Sequence, residues 1–356
     1  MTRKKLQTGF SMVELMVALT LSLILIAGVL SLVYSSKVTY MENERVAGTQ
    51  EGGRAAFEML MRDLRGSGFP GCAQPVKNLV FSNNVLTNKT SMLWALDIPL
   101  QGYEGTSGTW TPDLDPILSG ATSAPAANND ILVIRTTRAG LPQMRIPDKI
   151  AATDKVTVTK TSAQKVVGNT FVISDCQSET FFAASVADNG TTATLTPITG
   201  GTAPNNQSAS LVTNFAKGAL VTPLDTVIYY IAPSSTPAVQ GAAAGPALWR
   251  IVSSVNNAQP EELVPGVERM ELKYGVDIDG DTIVDEYDDA DAINTAGNWN
   301  NVVSVRVAIL VRSLQPNSPD LDKKTYTLLD STAGPFKDHY ERSLYTTTVA
   351  LRNRTT

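Results

Sequence analysis

The densest run of chemically capable side chains is DIDGDTIVDEYDDAD, Asp277 to Asp291, with eight carboxylates. Asp277, Asp279, Asp281 and Asp285 stand at positions 1, 3, 5 and 9 of an EF-hand-like spacing, and Asp288 stands at position 12. Ile283 would offer its backbone carbonyl at position 7. Calcium takes several oxygens from one flexible loop, so this run suits it. Two departures weaken the match. Thr282 sits where the sharp turn wants glycine, with Gly280 supplying part of that turn, and Asp288 replaces the usual bidentate glutamate. The alternative is a solvated acidic turn, in which this many like charges repel one another.

Other candidates for chemistry are sparse. Cys72 and Cys176 are the only thiols. In an exported chain an even count favours a disulfide, which here would close a loop of roughly a hundred residues and constrain the chain by about 2–5 kcal/mol. Two separate buried thiols are the alternative. His339 is the only histidine, with no cysteine near it in sequence, so neither a metal centre nor a nucleophile relay is expected there. SAQK (Ser162 to Lys165) fits S-x-x-K by letter but lacks the motifs that accompany it in β-lactamases. GSGFPG (Gly66 to Gly71) fits G-x-G-x-x-G by letter, but it follows a helical pattern and leads through Pro70 to Cys72, so it is a helix stop. No P-loop or H-E-x-x-H pattern occurs. No catalytic residue set emerges, and the chain is expected not to be an enzyme.

The 356 residues carry 29 basic and 34 acidic side chains, a formal charge of -5, which gives no basic surplus for nucleic acid. Hydrophobic residues make up 43 % and charged residues only 18 %. That balance, with abundant Ser, Thr and Asn, suits an exported β-rich protein with an ample core.

The N-terminus is the most informative part. Residues 1–9 read MTRKKLQTG, with Arg3, Lys4 and Lys5 and no acid. From Phe10 to Tyr34 the chain is apolar apart from Glu14, long enough to cross a bilayer core at roughly 20 residues per span. The run is longer than a secretory signal peptide's and no A-x-A-like site follows it. The basic leader is expected to stay cytoplasmic, with everything after Tyr34 on the outer side. A carboxylate inside such a segment costs a few kcal/mol and usually has a partner, unless it snorkels to the headgroups.

A basic leader ending in Gly9, then Phe10, then Glu14 and a long apolar helix resembles the class III signal of type IV prepilins. The resemblance implies that a prepilin peptidase cuts between Gly9 and Phe10 and that Phe10 becomes N-methylated. It also implies that Glu14, fifth in the processed chain, pairs with the N-terminal amine of a neighbouring subunit.

The elements that must carry these groups follow from periodicity. Phe57, Leu60, Met61 and Leu64 form an i, i+3, i+4, i+7 stripe for packing on a sheet. Gly48, Gly52 and Gly53 weaken the middle of the helix and suggest a softened or bent segment, and Gly66, Gly68 and Pro70 end it. The expected divisions are a cleaved leader (1–9), a transmembrane half (10–34), an amphipathic half (35–68) and a periplasmic β-rich domain (69–356). Strands are expected at Ile131–Arg135, Lys155–Lys160, Thr170–Ser174, Thr226–Ile231, Leu248–Val252, Glu268–Val276, Val302–Arg312 and Thr346–Leu351. In VVSVRVAILVR, Val303, Val305, Val307, Ile309 and Val311 should share one face. The intervening SGATSAPAANN, TGGTAPNNQSAS and APSSTPAVQGAAAGPA tracts read as surface loops. The fold class is α+β, a long N-terminal helix followed by a mainly antiparallel sheet domain.

RDLRGSGFPGC, DCQSETFF, MELKYGVDIDGD, VVSVRVAILVR and VALRNR resemble the PilW family of minor type IV pilins, and also the J-type minor pseudopilins of type II secretion. That resemblance implies an assembly or initiation subunit in a tip or priming complex of a type IV pilus. Its partners would be the prepilin peptidase, other minor pilins, the major pilin, the inner-membrane assembly platform and a tip adhesin. A type II secretion pseudopilin and a membrane-anchored adhesin with a pilin-type leader are the alternatives.

Overall fold

The computed structural model describes residues 11–68, 80–82 (backbone), 86–87, 91–121, 123–137, 144–162, 164–175, 177–201, 204–211, 213–235, 244–254, 258–316, 318–351 and 353. The chain divides into two compact units, Met1–Gly48 and Thr49–Thr356. A single helix, Met12–Gly66, runs through both without interruption. Gly48, Gly52 and Gly53 are all helical. At Gly53 a Cβ would come within 2.5 Å of the Tyr345 ring. The glycine lets the β domain approach the helix backbone, and the Tyr345 hydroxyl donates to the Thr49 carbonyl at 3.2 Å.

In the second unit the helix buries one face. Leu60 and Leu64 are fully enclosed, joined by Ala56, with Phe57 and Met61 packed at the edge. Burying each leucine contributes roughly 1.5–3 kcal/mol. The core they enter draws on both main sheets, through Leu132, Ile134 and Tyr229 on one side and Val305, Val307 and Ile309 on the other. Polar contacts fix the helix in register. The Tyr229 hydroxyl donates to Asp63 at 2.7 Å, and Thr136 Oγ1 donates to the Gly66 carbonyl at 2.8 Å. The helix stops where glycine was expected to stop it, with Gly68 at φ +70°.

Among the described residues the larger sheet has twelve strands. Its spine is Leu220–Pro233, fourteen residues long, which pairs antiparallel with Ile131–Thr137, Pro246–Val252, Thr170–Ser174 and Met144–Arg145. Thr170–Ser174 matches the sequence reading residue for residue. The spine extends well beyond the expected Thr226–Ile231, because its alternating side chains are buried on both faces. Val227, Tyr229 and Ile231 face the helix core, whereas Ile228, Tyr230 and Ala232 join Trp249, Met92 and Trp94 in a second cluster. Several strands gave no sequence signal, among them Leu100–Thr106, Ser178–Asp188 and Thr192–Pro197. Their Gly, Ala and acidic residues have weak strand preference and dilute the alternation, and the segments are held by neighbouring strands. Among the described strands only Val80–Ser82 pairs in parallel, against Ser178–Thr180.

Two tracts read as surface loops each place a buried asparagine. Asn129 is buried and accepts from the Met270 amide at 2.9 Å, and Asn206 bonds both backbone groups of Ala183, at 2.8 and 2.6 Å. These side chains act as short pieces of strand, a role that tract composition conceals.

The four-stranded sheet runs Glu286–Asp288, Val267–Val276, Val302–Arg312, Arg342–Ala350. Val302–Arg312 has the expected bounds. Its expected face needs one correction: the register shifts between Gly275 and Val276, whose partners are Ser304 and Val302, so Val302 rather than Val303 enters the helix core. An extra residue in one strand of an antiparallel pair reverses facing beyond it. The other face of this strand is also covered, with Ala308 and Leu310 under Leu328 and Ala333. Arg342 holds that cover in place. Its enclosed guanidinium meets Glu268 at 2.6 Å, Asp338 at 2.7 Å and Asp322 at 3.0 Å.

Candidate functional site

The helix from Met12 to Tyr34 exposes its apolar side chains on every face, from Met12 at 85 % to Tyr34 at 73 %. It is long and apolar enough to cross a membrane. Two of its hydroxyls are satisfied internally: Thr20 donates to the Val17 carbonyl at 2.9 Å and Ser22 to the Ala18 carbonyl at 2.8 Å. No polar group of these two therefore needs water. Ser11 caps the start, its Oγ accepting from the Val13 amide at 3.2 Å. Glu14 lies in the first turn, where unpaired amides and the helix dipole favour a carboxylate. Ser11 and Glu14 have the spacing of a capping box, so the glutamate suits the helix start as well as an intersubunit pairing. Gly9 and Phe10 lie outside the described residues, as do Cys72 and Cys176.

The acidic loop gathers part of its expected ligand set. One oxygen each of Asp277, Asp279 and Asp285 lies within 4.8 Å of the other two. Asp281 and Asp288 are not in that trio; Asp281 accepts from the Ile283 amide at 2.7 Å, and Asp288 sits in a strand opposite Tyr274. Thr282 adopts φ +70°, the left-handed conformation for which glycine was expected. Its amide donates to Asp277 at 2.9 Å, and the Gly280 amide donates to the same carboxylate at 2.7 Å. These bonds fold the loop around Asp277, which is itself buried. The oxygen-only donors fit a hard cation such as calcium, with three of the six expected ligands brought together.

His339 lies before the last strand, its Nδ1 2.8 Å from the Ser318 carbonyl, which is a loop contact. The sequence reading missed a second gathering of carboxylates, Glu104, Asp130 and Glu271, whose oxygens also lie within 4.8 Å of one another. They come from three distant stretches of chain, so no local spacing announces them.

Residues 4–30 match the family model of the prokaryotic N-terminal methylation motif. Residues 228–353, from within the Leu220–Pro233 strand through the acidic loop and the four-stranded sheet, match that of the type IV pilus-assembly protein W, PilW. The two models together cover less than half of the chain. No curated protein and no solved structure gives a significant match. Both matched families are structural rather than enzymatic. The prepilin motif, the apolar helix it contains and the PilW match over the C-terminal sheet support a membrane-anchored type IV minor pilin similar to the PilW family.

Proposed function

We propose that this minor pilin primes type IV pilus assembly and resides in a complex at or near the fibre tip. The observation that carries the reading is the Met12–Tyr34 helix, apolar on all sides and exposed along its length. Such a surface requires lipid before assembly and neighbouring helices after it. The leader with Arg3, Lys4 and Lys5 stays in the cytoplasm and the β domain folds in the periplasm, which anchors the precursor in the inner membrane. Prepilin peptidase cuts between Gly9 and Phe10 and methylates Phe10. Glu14 then meets the N-terminal amine of an adjacent subunit, which offsets the cost of its charge as the helix leaves the bilayer. The β domain contacts other minor pilins and through them the major pilin, the assembly platform and a tip adhesin, and performs no catalysis.

Two further features belong to this reading. A Cys72–Cys176 disulfide is one, as an even cysteine count in an exported chain favours. Calcium at Asp277, Asp279 and Asp285 would offset the charge of the acidic loop. The test of the function is a clean deletion scored for pili, twitching and protein export. Loss of pili and twitching with export intact is expected; intact pili with export lost would transfer the protein to a secretion machine.

A further inference from the structure

Glu104, Asp130 and Glu271 meet where the two main sheets adjoin. Glu104 lies in Leu100–Thr106, Asp130 directly precedes Ile131–Thr137, and Glu271 lies in Val267–Val276. Asp130 is 1 % exposed and stitches the sheets, accepting from the Leu272 amide at 2.8 Å and the Gly105 amide at 3.2 Å. Glu271 accepts from Ser331 Oγ at 2.7 Å. Those bonds hold two of the three carboxylates in place, but they supply no positive charge.

Two polar atoms here are left over. Glu104 Oε2 is buried without a hydrogen-bond partner, and so is the Tyr274 hydroxyl, on a side chain that is fully enclosed. A Cβ at Gly102, two residues from Glu104, would overlap that hydroxyl, so the phenol reaches the Glu104 strand. Burial raises the Tyr274 phenol, and Asp130 and Glu104 raise it further. Orphaned buried oxygens are rare in folded proteins, and a bound ion or water is one of the partners that accounts for them.

The surrounding charge is negative. Asp289, Asp291 and Asp330 add to the field at Glu104. Lys273 is the nearby ammonium, and it is taken up by Asp289 at 2.8 Å and Asp330 at 2.5 Å. Arg269 lowers Glu271, but its guanidinium also donates to the Asn128 carbonyl. Burial, followed by these like charges, lifts the Glu104 carboxyl to about 7. Burial likewise raises Asp130 and Glu271. The trio is therefore kept neutral by protons or compensated by a cation.

We propose that Glu104, Asp130 and Glu271 form a buried site for a hard divalent cation of the calcium class, separate from the acidic loop, which fastens the two sheets together. All donors are oxygens, which selects against zinc and softer metals. Oxygens ligated at 2.3–2.6 Å stand at most about 5 Å apart across the ion, in keeping with the 4.8 Å limit of the trio. The Tyr274 hydroxyl and Glu104 Oε2 gain a partner in the ion or in a water bound to it. The site joins Glu271, within the PilW-matched part, to Glu104 and Asp130, outside it.

The test uses full-length protein in detergent, stripped with chelator, then melted with and without calcium chloride. Three chains are compared: wild type, the loop variant D279N/D285N, and the buried-site variant E104Q/E271Q. In the loop variant, calcium at a hundredfold excess over Kd should still raise Tm by roughly 5 °C. That rise should be larger at pH 8 than at pH 5.5, because the ion displaces protons from the trio. E104Q/E271Q should lose that share of the shift, yet melt without metal at least as high as wild type because the repulsion is gone. Calorimetric titration of the loop variant should find one calcium per chain. The proposal is overturned if the loop variant binds none, or if E104Q/E271Q keeps the whole wild-type shift.

Discussion

One continuous helix presents two opposite solutions to the same problem. Between Met12 and Tyr34 its apolar side chains stay exposed on every face, whereas from Thr49 to Gly66 they are drawn onto one stripe and enclosed. The difference lies in the patterning. The first stretch is apolar all round and must be surrounded by lipid or by other helices; the second is amphipathic and buries its stripe within its own chain. Stability of the fold is therefore concentrated in the second stretch, and the capacity for assembly in the first.

Paired substitutions sharpen that contrast. Leu60→Ala or Leu64→Ala should each lower the unfolding free energy of the detergent-solubilised protein by about 2–5 kcal/mol. Leu23→Ala should leave the same denaturation curve within about 0.5 kcal/mol, since that side chain is 65 % exposed. Equal losses at both positions would break the comparison. Gly53→Leu must displace the Tyr345 ring and should cost about 1–3 kcal/mol, whereas Gly28→Leu, with nothing within 4 Å, should cost nothing measurable. A smaller effect is expected for Tyr229→Phe, which removes the hydroxyl bonded to Asp63 and should cost about 1.5 kcal/mol in the same assay. A Tyr229→Phe chain as stable as wild type would mean that this bond contributes nothing to the docking of the helix.

Much of this division is legible in the residues. The span from Phe10 to Tyr34, the Leu60 and Leu64 stripe and the stop at Gly66 follow from local periodicity and helix chemistry. Val302–Arg312 is legible too, because Val305, Val307, Ile309 and Val311 alternate along one face. The shift that turns Val302 inward in place of Val303 is not, since a bulge depends on the partner strand. Ser178–Asp188 is hidden for a related reason: its small and polar residues become a strand only when neighbours bond to it. Of the two acidic gatherings, Asp277–Asp285 is visible as a spacing, and the structure shows how much of it converges. Glu104, Asp130 and Glu271 are separated by long stretches of chain, and only the meeting of two sheets brings them together.

In the proposed assembly, the exposed half of the helix becomes the surface that packs against neighbouring subunits once the leader is removed. Its most direct test is the intact mass and N-terminal sequence of the subunit recovered from sheared pili. The prediction is a chain beginning at N-methylated Phe10, with a Gly9→Leu precursor left uncut and missing from the fibres. A subunit found in pili still carrying Met1 and its basic leader would contradict it.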